Sequence, residues 1–437
     1  MQLRHLTYRE IFLLVVAAAF FIFQIHQLLS FNPYWGYDGG AHVNILETLL
    51  FQHHFPALAD NYLAWHEPFY YLFLVGLGFL GIPFWFSHLI IVLAIDFLVF
   101  KLFRRFKLSD ELSLFGSLTA LSLPAFLEVS MFFTNEALNY VFLLAIMHLA
   151  IILFQETKWS WKTSLLLAGC VGLGVITKIT ALVAFGVVVI LLIIKMIENR
   201  TWKYLITIVL ALVVSAIFYL PWYLIRSDGL AQVSINNYDM LPAKPLVWDE
   251  RVSFMTRFDA DIFSFPFWYS GGTGFWSMLY ADTVSDYLGL FENQDIKNAL
   301  PETERVKTTH NGNSVSAYRK PLAEWVMRLG VIPVGLLILG LGYAFWLIIK
   351  KQKKLFFVAL PTLGFFSAFL LAAMYYAYRY PYYDQGVIKS IFIGPAFVLP
   401  LAMVIVCLKR APRWALYGIL VLWSMYIIIS LALFFIR

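Results

Sequence analysis

The feature that most constrains this chain is the recurrence of apolar runs about twenty residues long, set apart by short polar breaks. A run of that length spans the hydrocarbon of a bilayer as an α-helix, and a helix satisfies its own backbone groups in lipid. A membrane barrel would instead show segments of roughly ten residues alternating in polarity. Only 13% of the 437 residues are charged and 61% are hydrophobic, whereas soluble domains are about 25% charged. The expectation is an all-α polytopic membrane protein.

About eleven spans are expected, at 11–30, 84–100, 108–127, 137–154, 164–177, 181–194, 204–220, 330–349, 355–376, 390–408 and 414–436. The first is an uncleaved span, because Ala17-Ala18-Ala19 falls inside the apolar run and not after it. The apolar stretch 68–81 is short, and Gly81-Ile82-Pro83 interrupts it, so it reads as interfacial or re-entrant. Charge supports this reading. With 68–81 uncrossed, Lys101, Arg104, Arg105 and Lys107 join the other Lys/Arg clusters on the cytoplasmic side. The expected location is therefore a plasma membrane, multi-pass, with the N-terminus cytoplasmic. Span 204–220 is expected to stop at Pro221-Trp222-Tyr223.

This count leaves two long polar segments outside. The expected organisation is a transmembrane core at 1–223, whose first outer loop, 31–83, carries juxtamembrane helices. A large extracytoplasmic loop follows at 224–323, then C-terminal transmembrane helices at 324–437. Cys170 and Cys407 sit inside apolar runs and are expected as buried thiols, with no disulfide framework or paired metal ligands. No basic, aromatic-interleaved soluble surface points to nucleic acid.

Polar residues gather at the outer ends of the early spans. Tyr37-Asp38-Gly39-Gly40 follows the first span, and His66-Glu67-Pro68-Phe69-Tyr70-Tyr71 closes the first outer loop. Thr134-Asn135-Glu136-Ala137-Leu138, Gly174-Val175-Ile176-Thr177-Lys178 and Pro221-Trp222-Tyr223 come later, in that order. Together these motifs resemble the GT-C-fold glycosyltransferases, in particular the protein O-mannosyltransferase and aminoarabinose-transferase branch. The resemblance covers about 11–223, with an echo at 385–395. Two departures stand out: Asp38 is followed by Gly39 where many relatives have an Asp-Glu pair, and His66-Glu67-Pro68 replaces His-Pro-Pro.

The resemblance implies an enzyme that moves a hexosyl or pentosyl unit from a polyprenyl-phosphate-linked donor to an extracytoplasmic acceptor, with inversion. The acceptor is a lipid, a glycan or a protein. Such a reaction needs a base for the acceptor proton and cations where phosphate charge develops. Asp38 is the expected base and Glu136 a second catalytic acid. Lys178, Lys389, Arg379 and His66 are the expected donor-phosphate ligands. Tyr37, Glu67, Asn135 and Trp222 are expected to line the substrate.

Plain structural readings stand beside these. Asp38 suits the N-cap of a helix over 41–51, and Asn135-Glu136 suits a helix cap. Lys178 suits snorkelling to head groups, and Asp96 suits pairing with Lys101 and Arg104. Asp259, Asp261, Asp282 and Asp286 read as solvated loop acids. No cofactor is assigned. A divalent cation on His42, His53, His54 and His66 with nearby acids is the alternative, at a spacing that fits no zinc pattern. The rival functions are a lipid or sugar transporter or flippase, which should carry internal repeats or mid-membrane charge, and a non-catalytic subunit of the same fold.

Overall fold

A computed structural model describes residues 8–30, 34, 39–57, 60–61, 63–64, 66–156, 158–239, 248–263, 274–285, 319–379, 390–409 and 411–435. The described residues hold helices and no strand. The first half comprises α1 (Tyr8–Ser30), α2 (Gly39–Gln52), α3 (Phe69–Phe79), α4 (Phe84–Arg105), α5 (Asp110–Leu121), α6 (Pro124–Met131), α7 (Asn135–Gln155), α8 (Trp161–Val175), α9 (Ala181–Asn199) and α10 (Lys203–Asp239). The second comprises α11 (Trp248–Thr256), α12 (Phe275–Val284), α13 (Arg319–Leu329), α14 (Val331–Ile349), α15 (Lys353–Arg379), α16 (Gly394–Leu408) and α17 (Arg413–Phe435).

Every expected span overlaps helix, but not every such helix is long enough to cross. Among the described residues, seven helices have the length and apolarity to span a bilayer, or eight if α5 and α6 count as one. α3, α8 and α16 are shorter apolar helices. The short α3 agrees with an interfacial or re-entrant 68–81, and Gly81, at φ 80°, makes the turn into α4.

Two expectations are corrected. The stretch 108–127 is not one straight span: α5 and α6 meet at a 75° bend. Leu123 is extended, with ψ 141°, because the ring of Pro124 excludes the helical conformation from the residue before it, and Pro124 then opens α6. The second correction is at Pro221, where α10 runs straight through. A proline inside a membrane helix loses one N–H bond but need not end the helix.

The centre of the molecule is built on α7 and α16. Of α7's spanning stretch, 72% is buried, and Gly394–Val406 of α16 is buried throughout. Helices α4, α8, α9 and α15 pack around α7, while α14 lies along α16. At the α14–α16 contact, a Cβ on Gly340 would overlap the carbonyl of Pro400, so the two backbones touch there.

Intramembrane polar groups find partners other than those expected. Asp96 meets Gln24 of α1, which donates to its Oδ1 at 3.4 Å, while Lys101 lies over the ring of Phe97 and Arg104 bonds Asp110. His148 pairs with Arg105 at 3.3 Å. Cys170 and Cys407 form no disulfide and are half-buried.

Candidate active site

Three short polar segments meet where α3, α7 and α9 begin. Thr134 caps α7 by accepting from the N–H of Glu136 at 3.2 Å. With the cap supplied by Thr134, Asn135 and Glu136 are left for other work, and the capping reading of those two does not hold. The Asn135 amide donates to Nδ1 of His66 at 2.9 Å, tying α7 to the loop that precedes α3. The Phe69 N–H donates to the carbonyl of Ile176 at 3.2 Å, and the Ile179 N–H donates to Oε1 of Glu67 at 3.2 Å. The turn between α8 and α9 is thus held against residues 66–69.

That turn presents Lys178. Its ammonium donates to Oε1 of Glu136 and lies 4.8 Å from the centre of the Phe392 ring. Both side chains are largely buried, at 16% and 7% exposure, so the ion pair is poorly screened. A snorkelling lysine would send its ammonium to the head groups; this one turns inward to a carboxylate. Asn139 donates to Oε2 of Glu136 at 3.2 Å and also to Thr180 at 3.2 Å. Both carboxylate oxygens are therefore held in place.

Burial dominates the electrostatics beside this pair. It raises the Glu67 carboxyl from an ordinary 4.5 to about 7, against the opposing pull of Lys178. Burial, reinforced by His42 and Lys178, holds His66 well below its ordinary value. His66 is therefore neutral at pH 7. Since its Nδ1 accepts from Asn135, its proton sits on Nε2. The site then offers one cation, one neutral N–H donor and a carboxyl that changes charge near neutrality.

A fourth segment closes the group from far along the chain. Ser390–Phe392 forms a 3-10 turn ahead of α16. Tyr140 donates to the Ile391 carbonyl at 2.7 Å, and Gly394 leaves room for it, since a Cβ there would overlap the Tyr140 hydroxyl. Asp282 of α12 accepts from the Ser390 N–H, and the Ser390 hydroxyl donates back to the Asp282 carbonyl at 2.9 Å. Asp282 is 1% exposed; the solvated-acid reading of this residue is corrected. Asp259 is likewise engaged, accepting from the Gly274 N–H at 2.9 Å and pairing with Arg257.

The structure thus brings together His66, Glu67, Asn135, Glu136 and Lys178. Trp222, on α10, reaches the first loop. It packs on Phe55 at 5.0 Å between ring centres, and Phe55 meets Tyr71 at 6.3 Å. Asp38, Tyr37 and Lys389 lie outside the described residues, as does the Arg379 side chain. The first-loop histidines do not gather. His42 bonds Tyr71 at 2.7 Å and faces His66, whereas His53 packs on Phe79 and His54 bonds the Phe55 carbonyl. Among the described residues, no three His, Cys, Asp or Glu side chains converge on a metal-sized point.

Sequence reasoning missed Glu128 and gave Tyr140 no role. Glu128 is fully buried in α6. Its signal was a lone acid inside the apolar Pro124–Met131.

The comparisons with known proteins bear on the same segment. Residues 58–223 match the family described as dolichyl-phosphate-mannose-protein mannosyltransferase. No curated protein matches the chain. The crystal structures of ArnT from Cupriavidus metallidurans, in the apo state and bound to undecaprenyl phosphate, align with TM-scores of 0.41 and 0.42. Their identities are 13% and 14%, over 90% and 92% of this chain and 76% and 78% of theirs. Scores below 0.5 leave that likeness too loose to fix a shared fold. The motifs and the family match fall on the stretch that supplies His66, Glu67, Asn135, Glu136 and Lys178, and over residues 58–223 the chain is similar to that mannosyltransferase family.

Proposed function

We propose that this protein transfers a hexosyl or pentosyl unit from a polyprenyl-phosphate carrier to a lipid, glycan or protein acceptor on the extracytoplasmic face, with inversion. The observation that carries the reading is the buried Lys178 ammonium, held by Glu136 where three loop segments meet. In the reaction, the bond from the anomeric carbon to the carrier phosphate oxygen breaks. The electron pair leaves with the phosphate, which becomes a monoester with added charge. Lys178 answers that charge where it develops, and the His66 N–H supports it. The acceptor oxygen attacks from the opposite face, and a carboxylate takes its proton. Asp38 is our choice for that base. Glu136 holds Lys178 until the phosphate arrives. Lys389 and Arg379 are further phosphate ligands in this scheme, with Tyr37, Glu67, Asn135 and Trp222 around the sugar.

The test is purified protein given labelled polyprenyl-phosphate sugars and a membrane acceptor fraction. Wild type should release polyprenyl phosphate and label the acceptor. Lys178→Ala should lose activity by about 100-fold or more, as when one preorganised donor to a developing oxyanion is removed. Asp38→Asn should abolish transfer while donor binding survives. A wild-type protein that cleaves none of the donors, or a Lys178→Ala variant at full rate, overturns the reading.

A further inference from the structure

A buried contact joins the long polar segment after α10 to the Lys178 site. Asp282 lies on α12, in that segment, and 108 residues separate it from Ser390. The two residues exchange hydrogen bonds: Ser390 N–H to the Asp282 carboxylate, and Ser390 hydroxyl to the Asp282 carbonyl. Both are buried, at 1% and 0% exposure. Two residues on, the Phe392 ring stands under the Lys178 ammonium at 4.8 Å. From the other side Tyr140, a helical turn beyond Glu136, grips the Ile391 carbonyl at 2.7 Å.

Among these contacts of the turn 390–392, the one from Asp282 brings a carboxylate to its main chain. The attraction between an ammonium and an aromatic face depends on where the ring stands. A carboxylate that accepts a main-chain N–H fixes where such a turn sits. A solvated acid on a loop would do neither.

We propose that Asp282 is a positioning residue for Lys178: through Ser390 it sets the Phe392 ring under the ammonium, and so couples the large loop to the donor-phosphate site. The coupling rests on the reading of Lys178 as the phosphate's partner, and it makes the large loop part of donor binding. The chain of contacts runs Asp282, Ser390, Phe392, Lys178, with Tyr140 and Gly394 steadying the turn from α7 and α16.

The test measures polyprenyl phosphate binding to full-length protein in detergent micelles of fixed composition, with the thermal midpoint followed alongside. Asp282→Ala should weaken binding by about tenfold, the scale of one lost charge-assisted hydrogen bond. Asp282→Asn, which keeps an oxygen for the Ser390 N–H, should recover most of it. In a Lys178→Ala background, Asp282→Ala should add nothing, because the two act through one contact chain. Ser390→Ala removes one bond of the exchange and leaves the main chain intact. It should give a smaller loss of the same sign, and it answers the question even where Asp282→Ala does not insert. If Lys178→Ala weakens binding while Asp282→Ala and Ser390→Ala bind as wild type, or if the effects of Asp282→Ala and Lys178→Ala are additive, the coupling is wrong. If Lys178→Ala itself binds as wild type, the phosphate reading fails instead.

Discussion

Glu67 is a carboxyl pulled two ways, by burial toward the neutral form and by Lys178 toward the charged one. Burial wins, and the group titrates near pH 7 in the native protein against an ordinary 4.5. The native state thus keeps a proton that the unfolded chain has lost between those values. Stability therefore falls as pH rises from about 4.5 to about 7, and this group withdraws no more above that. The thermal midpoint of the purified protein should decline across this window, and Glu67→Gln should flatten that decline. An unchanged slope in the variant would mean that Glu67 does not titrate there. The neighbouring ion pair makes a separate prediction. Removing Glu136 as Glu136→Leu leaves the Lys178 ammonium buried without its carboxylate, at a cost of about 3–5 kcal/mol. The double variant Glu136→Leu with Lys178→Leu should be more stable than the single one, which a thermal melt checks. Glu136 and Lys178 were legible in the sequence because each is an ionisable group at the end of an apolar run. Asp282 was not legible, because its burial comes from a partner 108 residues away and nothing local marks it.

Among elements, the helix ends carry an unusual signature. Lys107, Arg200 and Lys351 follow the ends of α4, α9 and α14 with φ of 55°, 50° and 49°, where glycine is the common choice. A side chain in that region costs about 1–2 kcal/mol. These three positions belong to the basic clusters that the charge pattern puts on the cytoplasmic side, so a positive charge is kept at the expense of local strain. Arg200→Gly should therefore raise the thermal midpoint, and a lowered midpoint would show that the arginine head group is worth more than the strain. The α14–α16 contact makes the opposite kind of prediction. Gly340→Ala must push apart two backbones and should cost about 1–3 kcal/mol. Gly335→Ala on the same helix meets open space and should be neutral or mildly stabilising in the same melt. Helix existence and approximate bounds were readable from apolar run length, which measures the hydrophobic requirement directly. The break of 108–127 into α5 and α6 was written in Pro124, yet run length alone passes over it. The continuation of α10 past Pro221 was hidden for the converse reason. A proline signals a break in water, whereas neighbouring helices can carry the chain through one in lipid.

At the scale of the whole molecule, sidedness organises everything, and it can be measured. His54→Cys and Ser109→Cys, both at exposed positions and placed in a version without Cys170 and Cys407, should differ in labelling by an impermeant thiol reagent on intact cells. The cysteine at position 54, in the loop that carries His66, should react, whereas the one at position 109, next to the Lys101–Lys107 cluster, should react only after permeabilisation. The reverse pattern would invert the topology and remove the extracytoplasmic reading. One consequence of the Glu136–Lys178 pair reaches beyond the protein to its membrane. An ammonium already engaged by a carboxylate offers an arriving phosphate an exchange and not a vacancy. When the spent carrier is left behind, the glutamate competes to take its old partner back. Eviction of the used lipid would then be built into the same contact that admitted the fresh one, returning carrier to a pool that the cell must keep in circulation.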